Sequence, residues 1–396
     1  MPILERLRLW LQGVTRAALA AVASVVRAAE RLPAAGAWLL AAPVRLYRWI
    51  AAPVMALWRA FHTRSLWVKI AVAVIVIPWF LGYAAFMWEA AFIRGYDPDY
   101  ANTLGIEKRT VLPGKPISAA DPKTCGQSYI VAATAALIDF EVATNGWLPS
   151  NPFYKMGFFG IAWERTKFFD NKAAFEKGVH QAVGRTAIEL AETLGRVRGT
   201  SEIDPDLVTA RGNVQTDPAT WYFNLFGTQP FGPTTSTPTY FRKGGEALRR
   251  YQARLVTCQA TFDARADNLH EFVDRIASDI GSTTAGLAER AETHHSGWFD
   301  TRADDMFYFA QGQLYAYYGI LKAAHADFAE VITTRDIGAI WDNLEQPIRH
   351  ALSLSPLIVS NGAEDSWIMP SHLGTIGFYM LRARSNLVEM RQVLER

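Results

Sequence analysis

From Ile70 to Trp88 the chain carries no charged residue, reading IAVAVIVIPWFLGYAAFMW. At helical rise these nineteen residues extend about 28 Å, close to the hydrocarbon thickness of a bilayer. Trp67 and Trp88 bracket the run, and Lys69 and Glu89 mark its ends, as interfacial aromatics and polar boundaries do. Pro78 and Gly82 are residues that membrane helices tolerate. The pattern predicts a transmembrane helix over residues 67–89; its alternative is a buried core helix. Residues 90–124 show little periodicity, and the stretch from Gly95 to Thr124 holds four prolines and three glycines. They read as a linker or extended collar between membrane and domain.

Beyond it, helical periodicity dominates. Cys125 to Val142 is a mostly apolar helical run. Phe175, Val179, Val183, Ala187, Leu190, Leu194 and Val197 recur at steps of three and four, predicting an amphipathic helix that ends at Gly199. Leu248, Tyr251, Leu255, Cys258, Phe262, Ala266, Leu269, Val273, Ile276 and Ile280 step the same way with no proline among them. One helix over these positions would be about 50 Å long. Such a seam suits the central helix of an antiparallel bundle, with a coiled-coil contact as the alternative. Residues 226–240 and 353–372 read as loops, and a last helix starts near Leu373. No stretch shows strand alternation. The expected class is all-α: membrane-anchored helices at the N-terminus, then a helical-bundle domain over residues 125–396.

Charge adds a direction. Residues 1–69 hold nine arginines and Lys69 against Glu5 and Glu30, so the rest of the chain carries 40 − 10 = 30 basic and 38 − 2 = 36 acidic residues. Basic residues beside a span favour the cytoplasmic side, which places the N-terminus inside and the domain outside. The apolar run starts too late and is too long for a cleaved signal peptide. Within residues 1–66, Leu4, Leu7, Leu11 and Val14 share a helical face, Arg6, Arg8 and Arg16 lie off it, and Pro33, Pro43 and Pro53 interrupt the pattern. This suggests short basic helices on an anionic leaflet; a helical hairpin is the alternative. The acidic outer part argues against a nucleic-acid partner. The lipid bilayer is the expected partner, with an envelope protein or a second copy of the chain beside it.

Cys125 and Cys258 are the only cysteines. A bridge between them would close a loop of about 130 residues, worth on the order of 4–5 kcal/mol at most; two separate buried thiols are the alternative.

Familiar catalytic signatures are missing. His270, Glu271, Phe272, Val273 and Asp274 come nearest to a zinc-protease helix but lack its second histidine. There is no phosphate-binding or dinucleotide loop and no nucleophile elbow, and no cofactor is expected.

The densest chemistry lies in HHSGWFDTRADDMFYFAQGQLYAYYGILKAAHADF, from His294 to Phe328. Asp300 is the expected N-cap, with Asp304 and Asp305 in the first turn, where negative charge suits the helix dipole. Tyr308, Gln311, Tyr315 and Tyr318 form a polar stripe that either packs on a neighbour or lines a pocket. Gly312, Ala316, Gly319 and Ala323 form a line of small residues that admits another helix. His294, His295, Asp300 and Asp304 are the metal-ligand candidates. The aromatic segment 145–171, with Trp147, Phe153, Tyr154, Phe158, Phe159 and Trp163, either plugs the bundle end or lines a groove; Trp147 joins the pocket candidates. Glu141 and Glu164 flank it, and a pair of carboxylates is what glycan cleavage needs.

The motifs NGWLPSNPF, ADDMFYFAQGQLYAYYGILKA and NLVEMRQVLER, behind an anchor helix and linker, resemble the bacterial domain-of-unknown-function family 2333 over residues 65–396. The resemblance implies a Gram-negative inner-membrane protein with a helical periplasmic domain; it supplies no activity and no site residues. The expected role is a non-catalytic envelope scaffold, assembly partner or ligand sensor. The alternatives are a cell-wall glycan hydrolase using Glu141 or Glu164, and a metal site around Asp300 and Asp304.

Overall fold

A computed structural model describes residues 61–106, 111–118, 121–197, 201–221, 234–363 and 365–396. The basic segment 1–60, with its expected surface helices, lies outside the described residues. The chain divides into two compact units, Met1–Leu81 and Gly82–Arg396.

Helix α1, Leu66–Ala90, is long and apolar enough to cross a membrane. Most of its apolar side chains up to Leu81 are exposed, Val74 at 66% and Ile75 at 72%, which sets it apart from a core helix.

The second unit is predominantly helical. After a hairpin of β1 (Pro116–Ser118) and β2 (Asp121–Cys125) come α2 (Tyr129–Asp139), short α3 (Pro152–Met156), α4 (Asn171–Glu189), α5 (Pro205–Val214) and α6 (Thr237–Val256). Then follow α7 (Ala266–Thr293), α8 (Ala303–Asp327), α9 (Ala329–Thr334), α10 (Gly338–Leu352) and α11 (His372–Leu394). Helices α2 and α4 each end in a π-turn, Phe140–Thr144 and Leu190–Leu194.

Helix α8 is the central element. It packs most extensively on α4 and also meets α2, α7, α10 and α11. Its small-residue line works as the spacing suggests: Gly312 lies against the Phe175 backbone of α4, and Gly178 of α4 lies against the Phe309 backbone of α8. Around this pair the remaining helices pack in twos, α7 with α11, α10 with α11, and α5 with α6.

Three expectations need correction. The single helix expected over Leu248–Ile280 is two helices, α6 and α7, separated by residues 257–265. Cys258 sits in this break with φ of 58° and is disulfide-bonded to Cys125 at the end of β2, Cα to Cα 5.4 Å. The Asp263 amide donates to the Leu194 carbonyl, and Tyr251 Oη donates to the Thr261 carbonyl. The interruption comes from cross-links to distant chain, with no proline or glycine to signal it. Second, segment 90–124 is not a free tether. Ala101 is buried, Tyr100 Oη donates to the Tyr315 carbonyl and accepts from the Gly319 amide, and Tyr96 Oη donates to the Leu352 carbonyl. Third, a short two-stranded hairpin is present where no strand was expected.

Candidate functional site

Four aspartates and one glutamate gather where the start of α8 meets α4 and the Trp163–Arg165 turn. Their partners separate structure from chemistry. Asp300 is a structural hub. It lies three residues before α8, whose N-cap position is Arg302, so it does not cap in the expected register. Its carboxylate receives a two-pronged bond from Arg290, with Nη2 2.5 Å and Nε 3.0 Å away, a third bond from Asn361 Nδ2 at 2.9 Å and a fourth from the Arg302 amide at 3.1 Å. Burial alone would raise its pKa, but these donors outweigh burial and lower it.

Asp304 is buried, with Lys167 Nζ 3.7 Å from Oδ1. Burial pushes its pKa up to about 6, against the pull of Lys167 and of the first amides of the helix. Asp170, buried just before α4, is pushed up to about 9 by burial and by the charges of Asp305 and Asp304.

Asp305 faces a groove of about 330 Å³ between α4, α7 and α8. Glu164, Lys177 and Arg302 share this groove with it, Ser282 and Thr283 of α7 add hydroxyls, and Leu287, Met306 and Phe309 form an apolar wall. Tyr154 Oη donates to Glu164 Oε1 at 3.1 Å, and Lys177 Nζ stands 5.5 Å from the centre of the Tyr154 ring. Burial first, then Asp304 and Glu164, push Asp305 up to about 7; Lys177 and Arg302 oppose the rise. This groove therefore offers two acids, two bases and two hydroxyls over an apolar wall. It suits a small hydroxylated ligand that carries both charge signs.

Glu141 is elsewhere and enclosed. It sits in the π-turn after α2, fully buried, with Nδ1 of His180 4.0 Å from Oε2. Neither of its carboxylate oxygens, nor His180 Nδ1, has a hydrogen-bond partner. Burial, then the neighbouring Glu176 one helical turn before His180, holds Glu141 well above the usual carboxylate range. Burial lowers His180 to about 4. The His180 ring stacks on Phe241 with centroids 4.2 Å apart, and Trp147 meets it edge-on. Burial thus disfavours the charged form of both groups. Glu141 cannot reach a polymer substrate in this packing, which corrects its reading as a glycan-cleaving acid.

The polar stripe of α8 is filled by neighbours. Tyr315 is stacked between Tyr100, 4.2 Å away, and Phe140, 5.3 Å away, centroid to centroid. Gln311 Nε2 donates to the Leu354 carbonyl at 2.8 Å. Tyr308 packs edge-on to Phe307, and Tyr318 edge-on to Tyr100. Trp147 Nε1 donates to the Pro218 carbonyl at 2.8 Å. Of these five side chains, read as pocket candidates, Gln311, Tyr315, Tyr318 and Trp147 are buried, and Tyr308 is partly buried against the core. His294 and His295 are exposed, His294 bonding Thr293 Oγ1. Among the described residues no three His, Cys, Asp or Glu side chains converge as metal ligands would.

Of the expected site residues, then, only Glu164 lines the groove. In the sequence Asp305 reads as a first-turn acid suited to the helix dipole, and Lys177 and Arg302 as ordinary surface charges, so nothing local brings the three together. The doublet Asp304–Asp305 is the one signal in the sequence, since the helix dipole accounts for charge there but not for two adjacent acids on different faces.

A family model described as an uncharacterised protein conserved in bacteria matches residues 162–297 and 287–396. No curated protein matches the chain, and no solved structure does.

Proposed function

The chain belongs to this family, DUF2333, uncharacterised proteins conserved in bacteria, and on that premise we propose that it is a membrane-anchored envelope protein whose helical body senses a ligand or scaffolds an assembly without catalysing a reaction. In this reading α1 crosses the inner membrane, the arginine-rich N-terminus stays in the cytoplasm, and the helical body lies in the periplasm. The disulfide fits that compartment, where such bonds persist.

The observation that carries the sensing role is the groove lined by Asp305 and Glu164 together with Lys177 and Arg302. Soluble peptidoglycan fragments combine carboxylates, an amine and hydroxyls, which these groups complement. Calorimetric titration of the full chain in detergent with such fragments is the test. Saturable binding that Asp305→Asn or Arg302→Ala weakens at least tenfold is expected. Equal affinity in both variants would remove the groove from the account.

One observation favours the hydrolase reading: a carboxyl pushed up to about 7 shares a groove with a second carboxylate, the pairing that acid-assisted glycan cleavage uses. That reading assigns the acid to Asp305 and its partner role to Glu164. Release of reducing ends from peptidoglycan, lost in both Glu164→Gln and Asp305→Asn, would convert the sensor into an enzyme.

A further inference from the structure

Residues 158–161 make a tight turn beside the last turns of α1. The Phe158 amide donates to the Ile161 carbonyl at 2.6 Å, and the Ile161 amide returns the bond to the Phe158 carbonyl at 3.0 Å. The two central residues, Phe159 and Gly160, have φ of 51° and 88°. This is the left-handed two-residue turn in which asparagine or glycine is favoured at the first position. A phenylalanine there strains the backbone, and bulky residues with positive φ are outliers. The fold keeps it, yet the side chain is 57% exposed.

The exposure is shared. Met156, Phe158 and Ile161 around the same turn are also exposed, giving a contiguous apolar tip of a kind that soluble surfaces rarely carry. Lys155 and Arg165, both exposed, flank it in sequence. Aromatic and aliphatic side chains between basic residues are the composition of a membrane-interface segment.

The tip has a fixed height along α1. The Phe159 ring stacks on the Tyr83 ring, centroids 5.6 Å apart and planes 7° from parallel, and Tyr83 Oη donates to the Gly157 carbonyl at 2.9 Å. Phe153 closes on the same helix, reaching over Gly82. Glu89, in an ion pair with Lys172 at 3.0 Å, marks where the helix becomes polar. Tyr83 lies six residues before it, about 9 Å nearer the apolar run along the axis.

We infer that the turn Phe158–Ile161 is a membrane-embedded tip: it enters the outer leaflet beside α1, with Lys155 and Arg165 reaching lipid headgroups, and so fixes the helical body against the bilayer. The inference rests on α1 crossing the membrane. A tip about 9 Å below the polar end of the helix matches the 5–10 Å depth of interfacial apolar faces. The occupant is lipid because the turn packs on Gly82 and Tyr83, which belong to the uncharged run Ile70–Trp88 whose own composition suits lipid.

Site-directed spin labelling tests both steps separately. Both native cysteines are bonded to each other, so one introduced cysteine is the sole free thiol. The full chain is reconstituted in vesicles of phosphatidylethanolamine and phosphatidylglycerol, with labels at Phe159→Cys, Ile161→Cys, Ile75→Cys and, as an aqueous reference, Glu292→Cys. Accessibility to oxygen is compared with accessibility to a water-soluble nickel chelate. The expected result is a ratio several-fold higher at 159 and 161 than at 292, and higher still at 75. A lipid-like ratio at 75 with water-like ratios at 159 and 161 overturns the tip and leaves the anchor intact. A water-like ratio at 75 overturns the anchor and the tip with it. Ile161→Cys lies outside the strained position, so it reads the tip even where Phe159→Cys fails to fold.

Discussion

Gly312 approaches Phe175 so closely that a β-carbon built on it would stand 2.0 Å from the Phe175 carbonyl oxygen. The reciprocal contact, Gly178 against the Phe309 carbonyl, has the same 2.0 Å spacing. Helices α4 and α8 therefore touch backbone to backbone, and that contact sets the position of every element around them. Helix propensity alone favours alanine over glycine by up to about 1 kcal/mol. Here overpacking opposes it, and Gly312→Ala is expected to destabilise by about 1–3 kcal/mol net. Gly184, also on α4, has open space around its Cβ position, so Gly184→Ala should gain several tenths of a kcal/mol. Denaturant midpoints of the two variants in detergent check the contrast; equal shifts would remove the close-approach argument.

Asp327, the last residue of α8, supplies the cap of α2. Its Oδ2 accepts from Ser128 Oγ at 2.6 Å and from the Ile130 amide at 3.0 Å, and Oδ1 accepts from the Tyr129 amide at 3.0 Å. A carboxylate buried at a helix N-terminus meets both orphan amides and the dipole. Asp327→Asn turns one acceptor into a donor facing a donor, at a cost of about 1–3 kcal/mol. Loss of amide-exchange protection should appear first in the opening turn of α2. Unchanged exchange at Ile130 would show that the cap contributes nothing.

Two buried groups give the stability a pH dependence of opposite sign. Asp170 has an ordinary pKa of 3.8 and is pushed up to about 9. The folded chain then holds the extra proton between these values, so stability falls as pH rises through that window. Asp170→Asn should melt higher than wild type at pH 8 and close to it at pH 4. His180 drops from 6.5 to about 4, so the unfolded chain holds the extra proton and stability falls as pH falls through 6.5 toward 4. His180→Phe should flatten that acid limb. Melting curves between pH 4 and pH 9 read both; an unaltered basic limb in Asp170→Asn would exclude it as the source.

The Cys125–Cys258 bridge spans a sequence separation of 133 residues. Cys125→Ser with Cys258→Ser is expected to lower stability by up to about 4–5 kcal/mol, and reductant should lower the melting temperature of wild type but not of the double variant. A wild-type melt indifferent to reductant would mean that the bond does not constrain the unfolded chain.

The sequence by itself determined the apolar helix, the helical character of the body and the family. Each follows from local composition or from a period of three to four residues, which backbone geometry imposes on neighbours. The close approach at Gly312 was legible for the same reason, since a line of small residues leaves room for another backbone. Only the tertiary structure decided the break after α6, because Cys258 is turned by a bond to a residue 133 positions away. It also divided the acids. Asp300 is paired with Arg290 and accepts a hydrogen bond from Asn361, Asp327 caps a helix 197 to 199 residues earlier, and Asp305 alone of the acids at the α8 start faces an open groove. A carboxylate's role depends on which donors meet it in space, and a one-dimensional pattern carries no record of that encounter.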